Sequence, residues 1–164
     1  MTLQIKPLDE LMAREMVAWR YESPYDVYNF SSDEAAIADV VKYYADSKNS
    51  AYAMTDSEHG LIGFCSFGED AKVGGGDYTV DALDLGMGIR PDMTGQGNGT
   101  VFALKTVDFA IARFKPNRLR VAVAKFNRRA QKVWQNIGFV MTVEFTSTFD
   151  GSQYVMMVHE VMQL

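Results

Sequence analysis

Three glycines alternate in the run Thr94-Gly95-Gln96-Gly97-Asn98-Gly99-Thr100, which leaves a turn with few side chains just ahead of an amphipathic stretch. The main-chain N–H groups of such a turn can all point one way, and the helix start that follows adds unpaired N–H groups and roughly half a positive charge. That combination suits an anion, and a phosphate above all. A plain strand-to-helix turn uses the same residues, so the surrounding sequence has to discriminate. A nucleoside-triphosphate loop needs Gly-Lys and then Ser or Thr, whereas Gly99 is followed by Thr100 and the next lysine is Lys105. A dinucleotide loop needs a third glycine where Thr100 stands and an acid after the next strand, where Lys125-Phe126-Asn127 stands. Neither motif fits.

The elements that must hold this loop can be read on either side. Leu83, Leu85, Met87 and Ile89 alternate with Asp84, Gly86 and Gly88, which predicts a strand with one apolar face and one nearly bare face open to close approach. Pro91 ends it. Val101, Leu104, Val107, Ile111 and Phe114 recur three and four apart, predicting a helix to Phe114 with these five as its buried stripe. A second strand, Leu119 to Ala124, leads to Asn127, a short helix and the pair Gly138-Phe139.

Taken together, the run Ile89 to Thr100 and the run Val121 to Phe139 resemble the GNAT acetyltransferase superfamily. The first is similar to its acetyl-CoA pyrophosphate loop, Arg/Gln-x-x-Gly-x-Gly/Ala, with Gly97 and Gly99 at the small positions; the second is similar to its strand, Asn and short helix. The resemblance implies an α/β (α+β) fold: a mixed, mostly antiparallel sheet with helices on both faces and a parallel strand pair that splays apart. It also implies that acetyl-CoA is the co-substrate. On this resemblance the pantetheine arm runs along Met87, Gly88 and Ile89. The pyrophosphate rests on Thr94, Gly95, Gln96, Gly97, Asn98, Gly99 and Thr100, and Asn127, Ala130 and Trp134 supply further cofactor contacts. Two positions depart from the pattern. Thr94 stands where a long Arg or Gln is usual, and Trp134 stands where many members carry a tyrosine that protonates the leaving thiolate. An indole N–H donates hydrogen bonds but is no acid near neutrality, so that role is not carried over.

An amine acceptor with a pKa near 10 must lose a proton before it attacks a thioester. Asp84, on the sparse face of the strand just before the pantetheine contacts, is the candidate base; the alternative is that it pairs with a nearby cation. Glu22 and Asp26 are reserves. A thiol near pKa 8.5 leaves tolerably as thiolate, with Tyr154 or a water as candidate acid. Trp19 to Phe30 packs five aromatic residues around Pro24, and the resemblance places this stretch at the acceptor site. Tyr21, Glu22, Tyr25 and Tyr28 are the expected substrate contacts, with core packing the alternative for the rings and preferred for Trp19.

The chain has 164 residues and a formal net charge of -5, which predicts one domain over 1–164 with no bias toward nucleic acid. No apolar run approaches a membrane span and the first residues lack a signal core, so a cytoplasmic monomer or homodimer is expected, with no membrane partner and no metal. The lone Cys65 reads as a buried strand thiol. Lys115, Arg118, Arg120, Lys125, Arg128 and Arg129 form a basic cluster that is either a solvated face or an attractor for the cofactor. Asp9 is expected to cap a helix carrying Leu11, Met12, Met16 and Trp19, and Ser32 or Asp33 a second to Ala45. Hairpins are expected across 56–60 and around Asp150-Gly151, the latter with strands from Val140 to Phe149 and Ser152 to Met162. The Glu69–Asp77 loop is a lip over the acceptor site or, preferably, a loose connection. The function expected is acetyl transfer to a primary amine of a small molecule or protein by direct attack in a ternary complex; the alternative is a non-catalytic acetyl-CoA-binding module.

Overall fold

The computed structural model describes residues 1–163. Strands β1 (Leu3–Pro7), β2 (Ala51–Asp56), β3 (Gly60–Phe67), β4 (Leu83–Ile89), β5 (Arg118–Ala124), β6 (Val140–Thr146) and β7 (Gln153–Glu160) alternate with helices α1 (Glu10–Val17), α2 (Glu34–Ala45), α3 (Gly99–Phe114) and α4 (Arg128–Asn136). Hydrogen-bonded neighbours run in the order β1-β2-β3-β4-β5-β7-β6 in a seven-stranded sheet. The pairs β1–β2, β2–β3, β5–β7 and β6–β7 are antiparallel and β4–β5 is parallel. This is the mixed, mostly antiparallel fold expected. The parallel register contains only Leu83 opposite Leu119 and Asp84 opposite Arg120, so the two strands part after Asp84.

Two compact units divide the chain, one of residues 1–66 and 87–96, the other of residues 67–86 and 97–164. In the first, Asp9 caps α1 by accepting from Met12 N–H at 2.8 Å, and Asp33 caps α2 from Ala36 N–H at 3.1 Å. Ala13, Met16 and Val17 of α1 and Val41 of α2 are buried together with Leu8, Trp19, Ala51, Ala53 and Leu61. Trp19 is core, as preferred, but it lies beyond the end of α1, and Leu11 is 80% exposed. The β2–β3 turn is organised by Asp56, which is 4% exposed and accepts from Thr2 N–H, from the N–H groups of Glu58 and His59, and from the His59 ring at 2.5 Å. The His59 contact, with the main-chain donors, holds the Asp56 carboxyl below its usual range. A depressed carboxyl stabilises the fold above its unfolded pKa of about 3.9, and that stability is lost as pH falls through the lower folded value. Asp56→Asn is therefore expected to flatten the fall of the thermal midpoint below about pH 4, read by circular dichroism melts across that range.

In the second unit, Phe67 packs on Phe109 at 5.9 Å and on Phe114 at 5.1 Å between ring centroids. The buried face of α3 is Phe102, Ala103, Thr106, Val107 and Ala110. This corrects the expected stripe: Val101 and Leu104 are 52% and 46% exposed. Phe102, wholly buried, anchors this face, and beside it Ala103, Ala110 and Thr106, whose hydroxyl is satisfied inside the helix by Phe102 O at 3.0 Å, let the helix approach closely. The last hairpin is also shorter than expected. Its strands stop at Thr146 and Gln153, and the connection closes on itself through Ser147 N–H to Ser152 O at 2.8 Å and Gly151 N–H to Ser147 O at 3.0 Å. Cys65 is a buried thiol outside any disulfide, and no helix of the described residues is long and apolar enough to cross a membrane.

Candidate active site

The glycine turn takes the shape its composition dictates. Gly95 and Gly97 have φ of +71° and +80°, a region that L side chains rarely occupy. Both are exposed, and a Cβ built on Gly97 would have nothing within 4 Å. The turn rests on side-chain struts: Thr94 Oγ1 donates to Pro91 O at 2.7 Å and Gln96 Nε2 to Asp92 O at 2.7 Å. Arg90 anchors its start by gripping Asp92 with two nitrogens, at 2.6 and 3.2 Å, while another donates to His59 O and Leu61 O. Sequence reasoning passed over Arg90; its place directly after the strand and two residues before an acid was the available signal. The turn opens into α3, whose N-cap residue Asn98 makes no side-chain cap, and Thr100 lies in the first turn. Gly99 serves a different purpose, since a Cβ there would lie 2.8 Å from Val133 Cγ2 of α4.

On β4 the bare face is partly covered. The Phe64 ring of β3 lies directly on Gly88, within clash distance of any Cβ there, so this glycine makes room for a ring of its own unit. Phe64 in turn packs on Trp19 and Tyr44. Gly88→Ala is expected to cost about 1–3 kcal/mol through overpacking. Combining it with Phe64→Leu should recover part of that loss in urea unfolding.

Asp84 is engaged by a cation, the alternative named from the sequence. It is 4% exposed and receives Arg120 Nε at 2.6 Å and Nη2 at 2.9 Å, a bidentate pair on the last matched position of β4 and β5. Arg120 also donates to Val80 O at 2.8 Å and lies over the Tyr78 ring at 4.8 Å. The Asp84 contacts raise the Arg120 pKa still further above its ordinary value. Tyr78 Oη accepts from Val73 N–H at 2.7 Å and donates to Val73 O, while Thr148 N–H donates to Gly74 O at 3.0 Å. The segment expected as a loose connection is thus tied down around Arg120. Of the remaining basic cluster, Arg118 pairs with Glu160 at 2.5 Å and Lys125 with Glu144 at 2.9 Å.

Asn127 caps α4 by accepting from Ala130 N–H at 3.0 Å, which engages two of the expected cofactor residues with one another. Trp134 is 5% exposed and packs on Phe139, which stacks on His159. Tyr154 sits opposite Ala124 at the end of β5 and stacks on Phe145, and burial pushes its phenol above the ordinary value.

In the aromatic stretch, Asn29 binds Tyr21 at both ends of its main chain, accepting its N–H at 2.7 Å and donating to its carbonyl at 3.4 Å. Tyr21 meets Tyr28 edge-on and donates its hydroxyl to Ile89 O at 2.6 Å, and burial pushes its pKa up to about 12. Tyr25 and Tyr28 lie in the short 3-10 turn Tyr25–Tyr28, while Glu22 and Asp26 are exposed.

A family model described as an acetyltransferase (GNAT) domain matches residues 3–140. Among solved structures, a chimera of the spermidine N-acetyltransferase SpeG from Vibrio cholerae and hSSAT superposes with a TM-score of 0.76 at 17% identity, covering 98% of this chain and 96% of that one. SpeG from Vibrio cholerae in complex with manganese ions gives a TM-score of 0.70 at 16% identity, covering 96% and 92%. A GNAT-family acetyltransferase from Bacillus anthracis gives 0.71 at 16%, covering 98% and 95%. No curated protein matches by sequence.

Proposed function

The chain belongs to the GNAT acetyltransferase family, an acyltransferase family, and from that footing we propose that it transfers acetyl from acetyl-CoA directly to a primary amine in a ternary complex. The observation that carries the reading is the turn at Gly95 and Gly97, exposed and in the left-handed region, opening into a helix start without a side-chain cap. A pyrophosphate there meets main-chain N–H groups and the positive end of α3. In this reading Thr94 to Thr100 form the pyrophosphate loop, and Met87, Gly88 and Ile89 lend main chain to the pantetheine arm. Asn127 and Ala130 set the start of α4, and Trp134 fixes that helix on Phe139 for the cofactor contacts. The reading takes 1–164 as a single domain, because β4 serves both compact units.

The amine nitrogen attacks the thioester carbonyl carbon, the C–S bond breaks with its electron pair going to sulfur, and a proton leaves the nitrogen. The products are an amide and the CoA thiol. Because Asp84 is committed to Arg120, the proton goes to water, Glu22 or Asp26 in this account, and Asp84 serves to position β4. Tyr154, protonated at neutral pH, donates a hydrogen bond to the departing sulfur. Exposed Glu22 and Asp26 beside tyrosines suit a cationic amine, and the spermidine N-acetyltransferase name of the Vibrio cholerae neighbour makes a polyamine the first acceptor to try. A protein amine is the second. The lone buried thiol Cys65 fits a cytoplasmic enzyme, monomeric or dimeric.

Thermal unfolding with excess acetyl-CoA tests the cofactor. At a hundred times its dissociation constant a ligand stabilises by about 2.7 kcal/mol, a rise of roughly 5–10 °C for a chain of this size. No shift at millimolar acetyl-CoA would remove the enzyme and the binding-module readings together.

A further inference from the structure

β4 presents one edge to β3 and one away from it, and the hydrogen bonds say which groups lie on which. Arg90 N–H donates to Ile62 O of β3 at 2.8 Å. A trans peptide sets the carbonyl of one residue opposite the N–H of the next, so Ile89 O points away from β3. Gly88 O lies on the β3 side, 2.8 Å from where a Cβ on Gly63 would stand. The Tyr21 hydroxyl therefore reaches the edge of β4 that β3 leaves unused, and bonds Ile89 O there at 2.6 Å. It does not arrive on a loose side chain, because Asn29 holds the Tyr21 main chain at both ends and Tyr28 meets the ring edge-on.

A phenol has one proton and two lone pairs. Here the proton is committed to Ile89 O, and burial, by pushing the pKa up to about 12, keeps it there at neutral pH. What remains to offer is an acceptor, so the ligand group that fits must be a donor. A thioester carbonyl and its sulfur are acceptors and gain nothing from it, whereas an N–H does, and two kinds are at hand: the amides of the pantetheine arm, which main-chain groups of β4 can serve, and the amine, which has no such main-chain partner in this reading.

We infer that Tyr21 Oη accepts an N–H of the attacking amine and orients its lone pair toward the thioester, an inference that rests on the acetyl-transfer reading above. A neutral oxygen suits this task better than a carboxylate. A carboxylate would stabilise the ammonium form, which has no lone pair for attack, whereas a phenol favours the cation less strongly.

Tyr21→Phe keeps the ring and removes the hydroxyl, and the enzyme is assayed with spermidine and with benzylamine. The expected result is a loss of about tenfold in kcat/KM for both amines, with unchanged KM for acetyl-CoA, unchanged acetyl-CoA thermal shift and an unaltered pH–rate profile; one neutral-to-polar hydrogen bond is of that size. Full amine kcat/KM in the variant overturns the inference. So does an equal rise in the KM for acetyl-CoA, which would make Tyr21 a support of β4 or a contact to the pantetheine arm, or the loss of a limb of the pH profile, which would make it a proton carrier. Wild-type protein that fails to shift with acetyl-CoA brings down the underlying reading instead, through a separate readout.

Discussion

Arg120→Met is expected to lower the free energy of unfolding by about 3–5 kcal/mol, because it leaves the Asp84 carboxylate buried without its partner. Both side chains are 4% exposed, so water compensates neither. The guanidinium also joins β5 to Val80 O and to the Tyr78 ring, and its removal loosens the segment from Lys72 to Val80 as well. Asp84→Asn is expected to cost somewhat less, since an amide oxygen still accepts one of the two hydrogen bonds. The double variant Arg120→Met/Asp84→Leu should recover most of the loss, as apolar replacements of buried pairs commonly do. Urea unfolding of the three variants measures this. Single variants as stable as the wild type would mean that the pair is not buried as described. The prediction matters for chemistry because both oxygens of the Asp84 carboxylate are already bonded to Arg120. If Asp84→Asn leaves the pH–rate profile unchanged while lowering stability, the positioning role stands.

Gly97→Val is expected to weaken acetyl-CoA binding by more than about a hundredfold, in proportion to the loss of several charge-assisted hydrogen bonds of roughly 1.5–3 kcal/mol each. Two effects combine. A β-branched residue cannot hold a φ of +80° without strain, so the turn must change shape, and its side chain would fill space that nothing in the fold occupies. Calorimetric titration reads the affinity, and a melt in the absence of ligand should show only a modest drop. Gly99→Ala is the contrast. Its Cβ would press on Val133 of α4, so it should cost stability first and affinity second. The three glycines of one motif thus divide between ligand and packing, and the two variants separate them.

Much of this was legible in the sequence because local chemistry decided it. Asp9 caps its helix as its position predicts, Asp33 is the one of the two candidates Ser32 and Asp33 that caps the second, and the alternation from Leu83 to Ile89 gives β4 within its observed bounds. The mixed sheet with one parallel pair followed from two motifs in the right order. What was not legible depended on partners distant in the chain. Nothing near Asp84 announces Arg120, which comes from the next strand in parallel register. The inward face of α3 combines Phe102 with alanines and a threonine, and a stripe read from valine, leucine and isoleucine spacing misses it. Gly88 read as space for a ligand because its type cannot reveal that Phe64 fills it. Tyr21 was marked by the density of aromatic residues around it and by the family resemblance; its bond to Ile89 O required the fold.

The most direct measurement of acetyl transfer is release of free thiol from acetyl-CoA by the purified protein across a panel of primary amines, spermidine first, with amide formation followed by mass spectrometry. Transfer predicts thiol and acetylated amine in equal amounts, dependent on the amine and lost in Gly97→Val. An acetyl-CoA thermal shift without thiol release above the amine-free rate for any small amine or peptide N-terminus would contradict it, and would leave a binding module in its place.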